Sequence, residues 1–255
     1  MVKKENQDFC FCTLALGKKY RIMAKQLAKG IEKYYPETKF VVLTDAPKDF
    51  MENKNVLAFK HKQRGIWACY NDKRFVLEKA LDIFNAAIFV DSDVHIIHAF
   101  NLKLGKGITG NFENMFFHLR KNNPKRLIII KKIADKIGVR YKETRWIGES
   151  LFAVKKCEGR ENNFLSQWNI ITSYLELKGI HDGEGSVMGL AAEKIGFPIN
   201  NYKAWDNFRK TVRHMDASDH IKPTKWEFWK KRISYHYRLN KARLLALRDF
   251  DFYYR

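Results

Sequence analysis

The chain has 255 residues, of which 45% are apolar and 14% aromatic. This composition excludes a disordered chain, and the length is sufficient for one large α/β domain with a well-buried core or for two small domains. The formal net charge of +20 is large for this length and indicates anionic partners, namely phosphorylated substrates, nucleic acid or a membrane surface.

No apolar run reaches the roughly 20 residues needed to cross a bilayer, and the first residues lack a signal-peptide pattern. We therefore expect a cytoplasmic protein. Its four cysteines lack the spacing of a zinc site or a disulfide framework, and we expect them to be reduced and mostly buried.

In the first hundred residues, apolar runs alternate with helical patterns. Strands are predicted at 9–16, 40–43, 56–59 and 86–90, and helices at 20–35 and 71–84. This alternation is typical of a mostly parallel sheet covered by helices on both faces.

The rest of the chain is mixed and contains no linker or repeat. Helices are predicted at 126–137, 162–177 and 186–195, and strands at 146–154, 197–200 and 212–215. We expect one catalytic domain over 1–221, followed by a basic, aromatic extension over 222–255.

The segment Asp91-Ser92-Asp93 directly follows a buried apolar strand. Open α/β sheets bind ligands at the carboxyl ends of their strands, and strand residues two apart point to the same side. Both carboxylates can therefore reach one hard cation, which would bridge a nucleotide diphosphate. The alternative is two solvated acids in a turn.

The order and spacing of these blocks resemble GT-A fold glycosyltransferases, particularly families 6 and 8. Residues 14–20 and 40–45 are similar to their opening segments, 89–94 to their Asp-x-Asp motif, and 181–184 to the family 6 His-Asp-Glu-Ser and family 8 Asp-Gln-Asp blocks. The likeness covers most of 9–226.

The resemblance implies an α/β/α sandwich, Rossmann-like, with a mixed, mostly parallel central sheet. It also implies a metal-dependent enzyme that moves a hexose-type sugar from a nucleoside diphosphate, expected to be UDP, with retention at the anomeric carbon. The acceptor is expected to be a glycan, a lipid-linked molecule or another acceptor.

The resemblance also assigns residues to the donor. Tyr20 would stack on the base, although a core aromatic is equally expected at its position. Lys73 and Arg74 would meet the donor phosphates or sugar, with a solvated helix face as the alternative. The nucleotide-sugar set is completed by Leu14, Ala15, Leu16, Asp91, Ser92 and Trp146.

Three acids are candidates for contacting the transferred sugar. Asp182 and Glu184 would stabilise an oxocarbenium-like centre or hold sugar hydroxyls, and Glu149 would bind donor or acceptor hydroxyls. The alternatives are an N-cap at Asp182 with a first-turn acid at Glu184, and a polar turn residue at Glu149.

A third metal ligand beside Asp91 and Asp93 is implied by the same families, which place a histidine ahead of a Lys-Pro-Trp element. Both His214 and His220 precede such an element here, and His95 is a weaker candidate. Imidazole with two carboxylates suits Mn²⁺, with Mg²⁺ as the other candidate ion.

The extension at 222–255 interleaves basic groups with tryptophan, tyrosine and phenylalanine. Such a segment can attach a protein to anionic lipid headgroups on the inner face of a membrane. The alternative is a helical tail that packs its aromatic rings on the domain and leaves its charges in solvent.

Two other functions fit parts of the sequence. The Asp-x-Asp-Val string is similar to the nucleophile motif of haloacid-dehalogenase-type phosphatases, but that motif normally follows the first strand and has a later acidic partner. The positive charge fits a nucleic-acid-binding protein, but no recognition motif accompanies it, and we expect no nucleic acid as partner.

Overall fold

The computed structural model describes residues 8–100, 104–215 and 224–255. The strands are β1 Phe9–Ala15, β2 Phe40–Thr44, β3 Val56–Lys60, β4 Ala86–Val90, β5 Val94–Ile96, β6 Gly107–Asn114, β7 Arg145–Lys155, β8 Ile199–Asn200 and β9 Val212–His214.

The α-helices are α1 Lys18–Tyr34, α2 Lys73–Ile83, α3 Met115–Asn122, α4 Leu127–Ile137, α5 Arg160–Leu177, α6 Glu184–Ile195, α7 Lys203–Arg209, α8 Lys225–Ala246 and α9 Phe250–Tyr254. Short 3₁₀ turns occupy Pro47–Phe50, Tyr70–Asp72, Pro124–Arg126 and Leu247–Asp249. The turn at Tyr70–Asp72 leads directly into α2.

Seven strands form the main sheet in the order β3-β2-β1-β4-β7-β6-β8. The first four run parallel, β7 is antiparallel to both β4 and β6, and β8 is parallel to β6. The prediction of a mixed, mostly parallel sheet is confirmed. β5 and β9 form a separate antiparallel pair.

Two buried clusters cover the two faces of the sheet. In β1, Cys10 and Cys12 join one cluster while Phe11 joins the other, because neighbouring strand residues point to opposite faces. The first cluster is closed by α2, α4, α5 and α6, and the second by α1 and α7. This is the predicted three-layer sandwich.

The extension is mainly the helix α8, and it lies against the domain. Tyr235 makes an edge contact with Trp67 at 5.5 Å between ring centroids, Phe252 contacts Tyr174, and Ala246 is buried. Many aromatic side chains of α8 are nevertheless exposed, including Trp226, which is 67% exposed. The predicted boundary at 221/222 lies outside the described residues.

Within 8–100, 104–215 and 224–255, every helix is too short or too polar to span a lipid bilayer.

Candidate functional site

The acidic turn after β4 is fixed by neighbouring strands. The backbone N–H of Asp91 donates to the carbonyl of Ser150 at 2.9 Å, and the N–H of Val94 donates to the carbonyl of Asp91 at 3.0 Å. Thr13 donates its hydroxyl to the carbonyl of Val90 at 2.6 Å, which ties the strand end to β1. Ser92 is buried, whereas the Asp91 and Asp93 side chains are partly exposed.

His214 reaches this turn through the small β5–β9 sheet. Val94 pairs with His214 in the register, and the N–H of Met215 donates to the carbonyl of Asp93 at 2.7 Å. One ligand atom each from Asp91, Asp93 and His214 lies within 4.8 Å of the others. Two carboxylate oxygens and one imidazole nitrogen are a donor set that suits Mn²⁺.

The histidine side chain is 56% exposed, so the three ligands leave the outer side of the cluster open to solvent. A cation held there would keep free positions for a diphosphate. The competing candidate His220 lies outside the described residues, and His95 is not part of the three-residue cluster.

Lys73 is a buried lysine at the centre of the site. Its Nζ lies 2.9 Å from Asp91 Oδ1 and 2.7 Å from Glu184 Oε1, and it donates to the carbonyl of Glu149 at 3.0 Å. Its three donors are therefore engaged by three separate segments. Burial alone lowers the pKa of Lys73, but the charges of Asp91 and Glu184 more than offset this effect and raise it.

The carboxyl groups around Lys73 are displaced from their ordinary titration range. Burial raises the pKa of Asp91 to about 6, against the lowering effect of Lys73. Burial also raises the pKa of Glu149, and the nearby charge of Glu184 adds to the effect. The pKa values of these two carboxyl groups therefore lie closer to neutral pH than those of exposed acids.

Glu149 and Trp146 lie on β7 and face the start of α6. Glu149 Oε1 accepts a hydrogen bond from the N–H of Gly185 at 2.9 Å. A side chain at Gly185 would meet the Trp146 indole at 2.5 Å. The Trp146 ring stacks on His118 at 3.9 Å between centroids. These contacts hold Glu149 and Trp146 next to Glu184.

Asp182 and Glu184 point to different surroundings. Glu184 is buried and contacts Lys73, whereas Asp182 is exposed and pairs with Arg126 at 2.6 Å. The N-cap of α6 is Gly183 in a left-handed conformation, without a side-chain cap. The alternative role of Asp182 as the N-cap is therefore wrong, because Gly183 starts the helix one residue later.

Leu14 and Ala15 end β1, and Leu16 follows it, at the same edge of the sheet as Asp91. The turn that follows is held by Gly17, whose N–H donates to Asp45 Oδ1 at 3.1 Å. The predicted base-binding segment is therefore fixed beside the acidic turn.

Tyr20, in the first turn of α1, is 43% exposed, so it is not the core aromatic that the alternative required. The pKa of Tyr20 is raised, first by burial and then by the nearby groups of Tyr70, Cys69, Asp93 and Asp91. The effect of the two aspartates indicates that the ring lies near the acidic turn. Tyr70, which the sequence did not single out, is 49% exposed and lies near Glu184 and Asp182.

Arg74 is not brought to this cluster. Its guanidinium lies over the Phe75 ring, 3.7 Å from the centroid, and lines a cavity between α2, α5 and α8. Successive helical residues are turned by about 100°, so when Lys73 faces the acidic turn, Arg74 faces elsewhere. Of the two predicted basic contacts, only Lys73 lies in the site.

Comparison with known proteins returns no matching family profile and no curated relative. By structure, the chain is similar to the galactosyltransferase LgtC, solved in complex with donor and acceptor sugar analogs. The TM-score is 0.55 at 12% identity, and the match covers 89% of this chain and 95% of that chain. The predicted GT-A fold is confirmed by this likeness, which at such identity shows the fold alone.

Proposed function

We propose that this protein is a metal-dependent glycosyltransferase that moves a hexose-type sugar from a nucleoside diphosphate, UDP being the expected nucleotide. The observation that carries the proposal is the grouping of Asp91, Asp93 and His214 beside Lys73 and Glu184 in a GT-A fold. Asp91 and Asp93 would hold Mn²⁺ or Mg²⁺ with His214. The ion, when bound, would offset charge on the diphosphate leaving group.

The protein's own residues would divide the remaining work. Leu14, Ala15, Leu16 and Tyr20 would bind the base, and Ser92 and Trp146 would border the donor. Glu184, held by Lys73, would lie toward the anomeric centre, where a carboxylate stabilises oxocarbenium character. Glu149 and Asp182 would bind sugar hydroxyls.

The resemblance to families 6 and 8 supports retention at the anomeric carbon. It also supports a glycan or lipid-linked acceptor, and the structural neighbour was solved with donor and acceptor sugar analogs. The product anomer, determined by NMR after a single turnover, tests this part. Inversion would contradict it without affecting the proposal of sugar transfer.

A thermal-shift panel of UDP-, GDP- and CMP-sugars, each with and without Mn²⁺, tests the main proposal. We expect one donor to raise the Tm only when Mn²⁺ is present, and the effect to disappear in Asp93→Ala. If no donor stabilises the wild type, or if Asp93→Ala shows the same shift, the proposal is wrong.

We also propose that the protein is cytoplasmic and acts at the inner face of a membrane, through the exposed rings of α8. Trp226 and Trp229 are 67% and 54% exposed on a helix rich in lysine and arginine. Tryptophan favours the headgroup region, and each nearby basic residue adds about 1 kcal/mol of attraction to anionic lipid.

Sedimentation with phosphatidylserine vesicles tests this membrane contact. We expect Trp226→Ala combined with Trp229→Ala to reduce binding, and high salt to reduce it further. A matched control replaces Phe117 and Ile128, which are 65% and 68% exposed on other helices. Equal vesicle binding by both double variants would show that α8 is not the contact.

A further inference from the structure

A cavity of about 1070 Å³ is lined by residues of α2, α5 and α8. None of the residues that line it belongs to the cluster around Asp91 and Glu184. Leu165, Leu177 and Leu245 form an apolar part of its wall, and the rest of the wall carries four basic and three acidic side chains: Arg64, Arg74, Arg238, Lys241, Asp72, Glu78 and Glu176. The cavity is therefore a separate site with mixed apolar and charged character.

Two arginines of the wall share one aromatic ring. The guanidinium carbons of Arg64 and Arg74 lie 4.4 Å and 3.7 Å from the centroid of Phe75. In the part of the chain that the structure describes, neither guanidinium forms an ion pair with a carboxylate. Arg238 and Lys241, from α8, add two more positive charges across the cavity.

Arg74 is partly buried, and one of its buried nitrogen atoms has no hydrogen-bond partner among the described residues. Arg74 Nε and Thr172 Oγ1 are buried and have no partner among the described residues. Leaving a buried donor unpaired is unfavourable, more so for a charged group. Burial lowers the pKa of Arg74 to about 10, and the charge of Arg64 adds to this effect against Asp72 and Glu78.

Two of the three acids that line the cavity already accept hydrogen bonds. Asp72 accepts from His61 Nε2 at 3.0 Å and from the N–H groups of Arg64 and Gly65 at 2.7 and 3.0 Å. Glu176 accepts from the N–H of Ile66, and burial raises its pKa to about 7. Glu78 is exposed. Among the described residues, none of these three carboxyl groups forms an ion pair with Arg64 or Arg74.

We propose that this cavity binds a phosphate or diphosphate group, held by Arg64 and Arg74 with Arg238 and Lys241 opposite. The oxygens of a fully ionised phosphate act only as hydrogen-bond acceptors, and one guanidinium group can bind two of them at once. The apolar wall leaves room for the rest of a larger molecule. The inference does not depend on the proposed sugar transfer.

Calorimetric titration of the full chain with inorganic pyrophosphate, in buffer containing a metal chelator, tests this site. The chelator removes binding that needs a metal at Asp91 and Asp93. We expect one pyrophosphate per chain and a loss of affinity of about ten- to a hundredfold in both Arg64→Met and Arg74→Met. The Arg64 side chain is exposed, so this variant is expected to fold even if Arg74→Met does not.

Two variants serve as controls. Arg243→Met removes the same charge from α8 at an exposed position that does not line the cavity, and we expect unchanged binding. Asp93→Ala removes a residue of the other site, and we again expect unchanged binding. The proposal is overturned if wild type does not bind, if Arg243→Met loses affinity equally, or if Asp93→Ala abolishes binding.

Vesicles distinguish a soluble phosphate from a lipid headgroup. Phosphatidic acid in phosphatidylcholine is compared with phosphatidylcholine alone, using wild type and Arg64→Met. If Arg64→Met weakens binding of pyrophosphate and of phosphatidic acid, the site accepts a headgroup. If it weakens only pyrophosphate binding, the site takes a soluble phosphate. Both results require the cavity to bind phosphate.

Discussion

Lys73 connects the acidic turn after β4, the middle of β7 and the start of α6 through one ammonium group. Its side chain is 7% exposed, and that of Glu184 is 3% exposed. Charges this deeply buried are tolerated only when they are paired. The lysine therefore stabilises the positions of two acids that would otherwise repel each other.

Replacing Lys73 with methionine is expected to destabilise the fold by about 3–5 kcal/mol, the usual cost of leaving a buried charge unpaired. The methionine keeps the apolar stem but leaves Asp91 and Glu184 without their cation. Urea unfolding at pH 7 measures the change.

The matched control is Lys106→Met, which breaks an exposed ion pair with Glu158. We expect no measurable change, because solvent screens exposed pairs. A Lys73→Met variant as stable as this control would show that the buried pairs do not contribute as argued.

The resemblance to families 6 and 8 placed both Lys73 and Arg74 beside the donor, and the structure separates them. Periodicity gives the relative direction of two helical side chains but not the rotation of the helix against the sheet. That rotation is set here by packing, with Val76, Leu77 and Ala80 buried in the core. Tyr70 was missed because a lone tyrosine in a turn carries no periodic signal.

Helix α6 lies unusually close to β7 because two of its residues are glycines. A Cβ added at Gly189 would be 1.8 Å from the carbonyl oxygen of Arg145, and one at Gly185 would be 2.2 Å from that of Ile147. Only glycine permits this approach of helix to strand. The approach brings Glu184 within reach of Lys73 and Glu149.

Gly189→Ala is expected to lower the free energy of unfolding by about 1–3 kcal/mol, since the added methyl group meets a backbone oxygen and α6 must shift. The matched change is Gly30→Ala in α1, where the new Cβ would find ordinary contacts at 3.5 Å or more. Alanine there is expected to stabilise by about 0.5–1 kcal/mol through helix propensity. If chemical denaturation showed that both substitutions change the free energy of unfolding in the same direction, this reasoning would be contradicted.

Glu176, where α5 meets the loop at Ile66, is expected to make stability depend on pH. Its pKa is raised to about 7, first by burial, with Asp72 adding to the rise and Arg74 and Arg238 opposing it. The unfolded value is about 4.3, so the folded state holds an extra proton between these values. This contribution is favourable at low pH and is lost as pH rises from about 4 to 7.

Glu176→Gln removes the ionisable group. The unfolding free energy of the variant minus that of wild type is expected to increase by up to about 3 kcal/mol from pH 5 to pH 8. Guanidinium titrations at the two pH values measure this difference, in which the constant cost of the amide cancels. A difference near zero would show that Glu176 is not held protonated.

Strands with clear apolar runs were predicted from the sequence, whereas β6, which is stabilised mainly by pairing with its neighbouring strands, was not. The core strands 40–43 and 86–90 were found close to their observed bounds. β6 was missed because its sequence, GITGNFEN, contains two glycines and two asparagines, which have low strand propensity. Pairing with β7 and β8 supplies what its side chains do not.

At the scale of the whole molecule, β9 returns to the first half of the chain and adds His214 to the acidic turn. His214 was predicted as a metal ligand because it precedes an element loosely similar to the Lys-Pro-Trp element of families 6 and 8. The strand predicted at 212–215 matches β9, but β5, with three residues, lacks enough alternation to be recognised, so its pairing with β9 was not foreseen. The partnership of His214 with Asp93 therefore could not be derived from pattern alone.

His214→Ala is expected to weaken Mn²⁺ binding by about one to two orders of magnitude in the presence of UDP, since one of three ligands is lost. Calorimetry with Mn²⁺ measures it. His98→Ala is the control, because His98 is exposed and not part of the three-residue cluster. Unchanged Mn²⁺ affinity in His214→Ala would remove this histidine from the proposed metal site.

The pairing of β5 with β9 also bears on the order of events during synthesis. A ribosome makes Asp91 and Asp93 long before His214, and chains fold from the amino terminus as they emerge. The early strands can assemble while the turn still lacks its third ligand. A nascent chain therefore acquires the complete three-residue cluster only after β9 has been translated, so tight capture of the proposed cation would follow formation of the early strands.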